Sequence, residues 1–123
     1  MVAKIRPTKR VPRFERYNCT GRLRVEIKTD DDGISEVILL PKGGGCKTLI
    51  NTISRLLTFC LECCIDINDI LKVLDSVDAC TAPKDRTDYK EGKIEKELLG
   101  FGGCPRIIAT AIREKISQLE KQP

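Results

Sequence analysis

The chain has 123 residues, 41% of them hydrophobic and 33% charged, which suits one small domain with an apolar core and leaves no room for two. It contains no His and no Trp, and this removes Ser-His-Asp or Cys-His catalytic machinery, a histidine general base and His-ligated zinc. The net charge of +4 divides unevenly, with +7 on residues 1–28 and −3 on the remainder.

In chain order, residues 1–13 place Pro7 and Pro12 among basic side chains, so a basic extended arm is expected over 1–16. Such a front suits an anionic partner, whether nucleic acid, a nucleotide or the acidic face of another subunit, or else simply solvated charges and subunit contacts. From Arg22 to Lys28 the pattern alternates, with Leu23, Val25 and Ile27 on one face and Arg22, Arg24, Glu26 and Lys28 on the other, and predicts a half-buried antiparallel strand. Asp30-Asp31-Asp32-Gly33 is a turn signal, and residues 34–40 return as a second strand.

Pro41 ends that strand, and residues 42–46 form a Gly-rich connection. A helix is expected over 47–64, where Leu49, Ile50, Ile53, Leu56, Leu57, Cys60, Leu61 and Cys64 make one wide apolar stripe. Asp66 or Asn68 caps a shorter helix burying Ile67, Ile70, Leu71, Leu74 and Val77. Residues 81–97 are polar, contain Pro83 and Gly92, and read as a long surface loop or short insertion. Pro105 suits the first position of a last helix, reaching about residue 120, whose core face is Ile107, Ile108, Ala111, Ile112, Ile116 and Leu119. The expected fold is α+β: an antiparallel β-sheet packed against two to three helices in a compact single domain. The second face of so small a sheet also needs cover, and oligomerisation would supply it.

Two helices open alike, on Gly44-Gly45-Cys46-Lys47 and on Gly102-Gly103-Cys104-Pro105-Arg106. A Gly-rich approach to a helix start exposes backbone N–H groups at the positive end of the dipole, where phosphate binds, and Lys42, Lys47 and Arg106 add full charges. The P-loop pattern fails because Cys46 stands where glycine must precede Lys-Ser/Thr. The competing reading is structural: glycine for close packing and cysteine for a core niche.

Seven cysteines, an odd count, argue against a disulfide framework. Cys19, Cys46, Cys80 and Cys104 would make a tetrathiolate zinc site if the fold brought them together, but their wide spacing makes zinc the minority reading and no cofactor the first expectation. No paired carboxylates and no nucleophile–base pair stand out, so a binding protein is expected rather than an enzyme.

The ordered pieces resemble the TSCPD domain family over roughly residues 6–115. They are a basic, Pro-bearing lead-in, Cys19 near a first strand, a charged hairpin ending in Gly44-Gly45-Cys46, Ile53-Ser54-Arg55-Leu56 in a helix, the lone Cys80, and Cys104-Pro105 opening the last helix. The family's Thr-Ser-Cys-Pro-Asp signature is replaced here by Gly102-Gly103-Cys104-Pro105-Arg106, which turns an anion-repelling charge into an attracting one. The resemblance implies either an accessory domain linked to ribonucleotide reductase or a free-standing four-cysteine protein. A small, His-free member with these openings is also similar to the Thoeris anti-defence sponge proteins of phages and prophages. That likeness implies a homo-oligomer sequestering a nucleotide-derived signal, a cyclic ADP-ribose isomer.

On this reading the ligand site comprises Phe101, Gly102, Gly103, Arg106, Arg113 and Lys47, with Phe101 stacking on a base or anchoring its own loop. Few aromatics and an acidic remainder argue against nucleic acid as the partner. No apolar run approaches the roughly 20 residues that span a bilayer, and no leader opens the chain, so no membrane partner and a cytosolic setting are expected, in the host cell if phage-encoded.

Overall fold

A computed structural model describes residues 13–19, 21–43 and 46–121. Strands β1 (Phe14–Tyr17), β2 (Arg22–Asp30) and β3 (Gly33–Lys42) form an antiparallel sheet in the order β1-β2-β3. The predicted hairpin turns where the Asp30 carboxylate accepts the Asp32 N–H at 2.8 Å. The register sets Phe14 beside Val25, Val25 beside Leu39 and Ile27 beside Val37, so the apolar alternation falls on one side, where Leu23, Val25, Val37 and Leu39 are buried. The expected arm over 1–16 is corrected at its end, because Phe14, Glu15 and Arg16 pair with β2. Residues 1–12 lie outside the described part, as do Gly44 and Gly45 of the first helix opening.

Helix α1 (Lys47–Glu62) runs along β3, an edge strand whose outward backbone groups need partners. The Ser54 hydroxyl accepts the Leu39 N–H at 3.1 Å and donates to the Val37 carbonyl at 3.2 Å, and the Thr58 hydroxyl donates to the same carbonyl at 3.3 Å. The predicted single stripe divides. Ile50 and Leu57 are buried, whereas Leu49 and Leu56 are exposed, because neighbouring residues point about 100° apart and the strand covers only one side of the helix. The helix also ends two residues early, as Cys64 turns into the left-handed region (φ 61°).

Helix α2 (Ile67–Ser76) is capped by Asp66, whose carboxylate accepts the Asn68 N–H at 2.9 Å, and it buries Ile70, Leu71 and Leu74. Val77 was expected on that face but lies beyond the helix in extended backbone and is exposed. The segment 81–97, expected as a long surface loop or a short insertion, folds into short elements. It holds a 3₁₀ turn (Ala82–Asp85), helix α3 (Thr87–Lys90) and a second 3₁₀ turn (Lys96–Leu98), and it buries Pro83 and Ile94. Elements of three or four residues are too short to show a hydrophobic period. Their anchor is polar: Arg86 donates to the carbonyls of Asn18 (3.0 Å) and Gly21 (2.7 Å), pairs with Asp88 at 2.9 Å and lies over the Tyr17 ring.

Helix α4 (Cys104–Glu120) starts one residue before Pro105 and buries Ile107, Ile108, Ala109, Ala111 and Ile112 in a core shared with the sheet, α1 and α2. Among the described residues no helix is long and apolar enough to cross a membrane.

Candidate functional site

The segment before α4 lies beside the open edge of β1. The Gly100 N–H donates to the Tyr17 carbonyl at 2.7 Å, and Leu99 bridges Tyr17 in parallel. Gly102 and Gly103 both take φ near +85°, which L side chains rarely adopt, and a Cβ on Gly102 would stand 2.4 Å from the Arg106 Cγ. Together they turn the chain into α4 and let Arg106 fold back over the loop.

This arrangement leaves a cleft of about 500 Å³ between β1, the 96–101 segment and the first turns of α4. Arg16, Lys96 and Arg106 contribute cations against a single acid, Glu97, while Leu99, Phe101 and Ile107 form the apolar wall and Thr110 adds a hydroxyl. The Arg106 Nη2 donates to the Val77 carbonyl at 2.8 Å, yet its Nε is buried without a hydrogen-bond partner. Arg16 donates to the Glu15 carbonyl and lies 3.6 Å from Glu114. A neighbouring groove of about 470 Å³ sets Arg13, Arg16 and Lys115 against Glu26 and Glu114, a smaller excess of positive charge.

Of the expected site residues, Phe101 and Arg106 line the cleft, and Gly102 and Gly103 shape its approach. Phe101 is 37% exposed; Tyr89 meets it edge-on at 6.0 Å and the Lys84 ammonium lies 5.8 Å from its ring centre, so it also anchors its loop. Lys47 and Arg113 do not line the cleft. Lys47 opens α1, and Arg113 pairs with Asp75 of α2, where its hydrogen bond holds the Asp75 carboxyl below the ordinary carboxylate range. The expected backbone cradle is largely occupied as well, since the Gly103 N–H donates to Gly100 and the Arg106 N–H to Gly103. Anion contact in the cleft therefore falls to side chains. Arg16 and Lys96 were missed from the sequence: one reads as part of an arm and the other as one lysine in a polar stretch.

The fold brings Cys19, Cys46 and Cys80 close enough to Cys104 for their charges to act on its thiol. Burial pushes the Cys104 thiol up, the Asn18 amide hydrogen bond pulls it down, and the nearby Cys19, Cys46 and Cys80 raise it further. Asn18 is buried, donates to the Cys104 Sγ at 3.7 Å and accepts the Gly21 N–H at 2.8 Å, which ties the β1–β2 connection to α4. Among the described residues no group of three or more Cys, Asp or Glu is set to hold a metal ion.

A three-stranded sheet backed by helices, with a cationic cleft at the start of the last helix, defines a small α+β domain class. The model of the TSCPD domain matches residues 2–116, and the chain belongs to that family. No curated protein and no solved structure gives a significant match.

Proposed function

We propose that this TSCPD protein is a non-catalytic binding protein that sequesters a nucleotide-derived signal, with a cyclic ADP-ribose isomer as the ligand class. One observation carries the reading: Arg106, Arg16 and Lys96 line one cleft against the single acid Glu97. Three cations suit a pyrophosphate, the Leu99–Phe101–Ile107 wall suits a purine, and the Thr110 hydroxyl suits a ribose. Capture without turnover would silence a signal, which is the anti-defence role implied for a phage or prophage protein.

The test is capture and release. Purified protein is mixed with cyclic ADP-ribose isomers and, for comparison, cyclic oligonucleotides; unbound ligand is removed, the protein is heat-denatured, and the released molecule is identified by mass spectrometry. An intact cyclic ADP-ribose isomer is expected, with R16A, K96A and R106A each weakening capture by about tenfold. A cleaved product would show a reaction and overturn the non-catalytic reading, and capture of nothing would overturn the ligand.

Cys19, Cys46 and Cys80 lie near enough for their charges to act on Cys104, which supports a second reading, a zinc-binding accessory domain linked to ribonucleotide reductase or nucleic acid, in which the thiols would close on the metal as it binds. It predicts one zinc per chain by elemental analysis and loss of folding on chelation.

A further inference from the structure

The side of α1 turned away from β3 carries an apolar stripe that no element covers among the described residues. Leu49, Leu56 and Phe59 are 65%, 57% and 60% exposed, and Thr52 and Cys63 are exposed beside them. These positions recur at steps of three and four residues, the seam along which two helices pack side by side. The stripe holds no charge, and the charges flanking it are Arg55 and Glu62, both exposed. Seven residues separate that pair, about 10 Å along the axis, so the two cannot reach each other on one helix. Neither has an ion-pair partner among the described residues.

We infer that this face docks a second copy of the chain, α1 against α1 in antiparallel orientation about a two-fold axis. The occupant follows from charge and spacing. In the antiparallel register Leu56 packs on Phe59 of the second copy and Thr52 on Cys63 of the second copy. Arg55 then faces Glu62 of the second copy, and the symmetry repeats each contact. A parallel pairing would set Arg55 level with its own equivalent and beside Cys60 of the other helix, leaving both charges without a complement. Contiguous exposed apolar side chains of this size mark an interaction surface, and this one is complementary to itself. The inference is independent of the ligand assigned to the cleft.

Sedimentation equilibrium on the full chain tests it. The wild type is expected at twice the monomer mass or an even multiple, and F59E at half the wild-type mass with an unchanged far-ultraviolet spectrum, since Phe59 lies outside the core. R55E and E62R are each expected to weaken association by about tenfold, and R55E/E62R to restore it. Such rescue has no source within one helix. A monomeric wild type, or an F59E variant of unchanged mass, would overturn the surface. Charge reversals that do not rescue one another would overturn the antiparallel pairing.

Discussion

Arg86 joins the 81–97 segment to the sheet through two backbone carbonyls, a carboxylate and an aromatic face, with its side chain only 13% exposed. Arg86→Ala leaves the Asn18 and Gly21 carbonyls without that donor and is expected to cost about 3 kcal/mol in urea unfolding. Asp88→Ala should cost less, because the Asp88 side chain is more exposed than that of Arg86 and leaves both carbonyl contacts in place. Gly102→Ala forces a side chain into the left-handed region against Arg106, for about 1–3 kcal/mol, and should also weaken ligand capture by displacing that guanidinium. Cys104 sets an alkaline limit. Its folded pKa is raised, so above the ordinary thiol range, near 8.5, the unfolded chain loses its proton first. Stability is therefore full below that range and falls as pH climbs toward the raised value. Denaturant midpoints between pH 7 and 10 should show the decline, and Cys104→Ala should flatten it.

At the level of elements, α1 meets two different demands. One side supplies the Ser54 and Thr58 hydroxyls that close the edge of β3, while the other remains apolar and uncovered. Ser54→Ala removes both an acceptor and a donor and is expected to cost about 1–2 kcal/mol. Amide exchange at Leu39 should quicken more than exchange at Leu74, which sits in a helix away from that edge. The strands and long helices were legible because each spans enough residues to display its period. The division of α1 was not: periodicity reports that Leu49 and Leu57 are apolar, but not how much of the helix circumference a neighbour covers. The 81–97 segment was illegible for the opposite reason, since its order rests on one arginine and short turns rather than on a repeating pattern.

For the molecule as a whole, the cleft proposed for ligand capture, by the first turns of α4, and the face proposed for self-association, on the outer side of α1, are separate surfaces. Monomeric F59E is accordingly expected to retain cyclic ADP-ribose affinity within about twofold by calorimetry, whereas R106A loses affinity and keeps its mass. The candidate site was half legible. Phe101 and Arg106 announce themselves beside a Gly-Gly helix opening, but Arg113, on the same helix, is taken up by Asp75, and Lys47 lies outside the cleft. Arg16 and Lys96 enter from elements far away in sequence.

The alternation over residues 22–28, the Asp-Gly turn, the capped α2 and the apolar face of α4 are local consequences of residue order, since each depends on backbone geometry repeating over neighbouring residues. The family follows from the same ordered pieces. Which cations share a cleft, why Cys104 feels the charge of three distant cysteines, and which side of α1 is left bare depend on long-range packing. Side chains brought together from distant segments leave no periodic trace in the chain that carries them, and only the folded arrangement puts them within reach of one another.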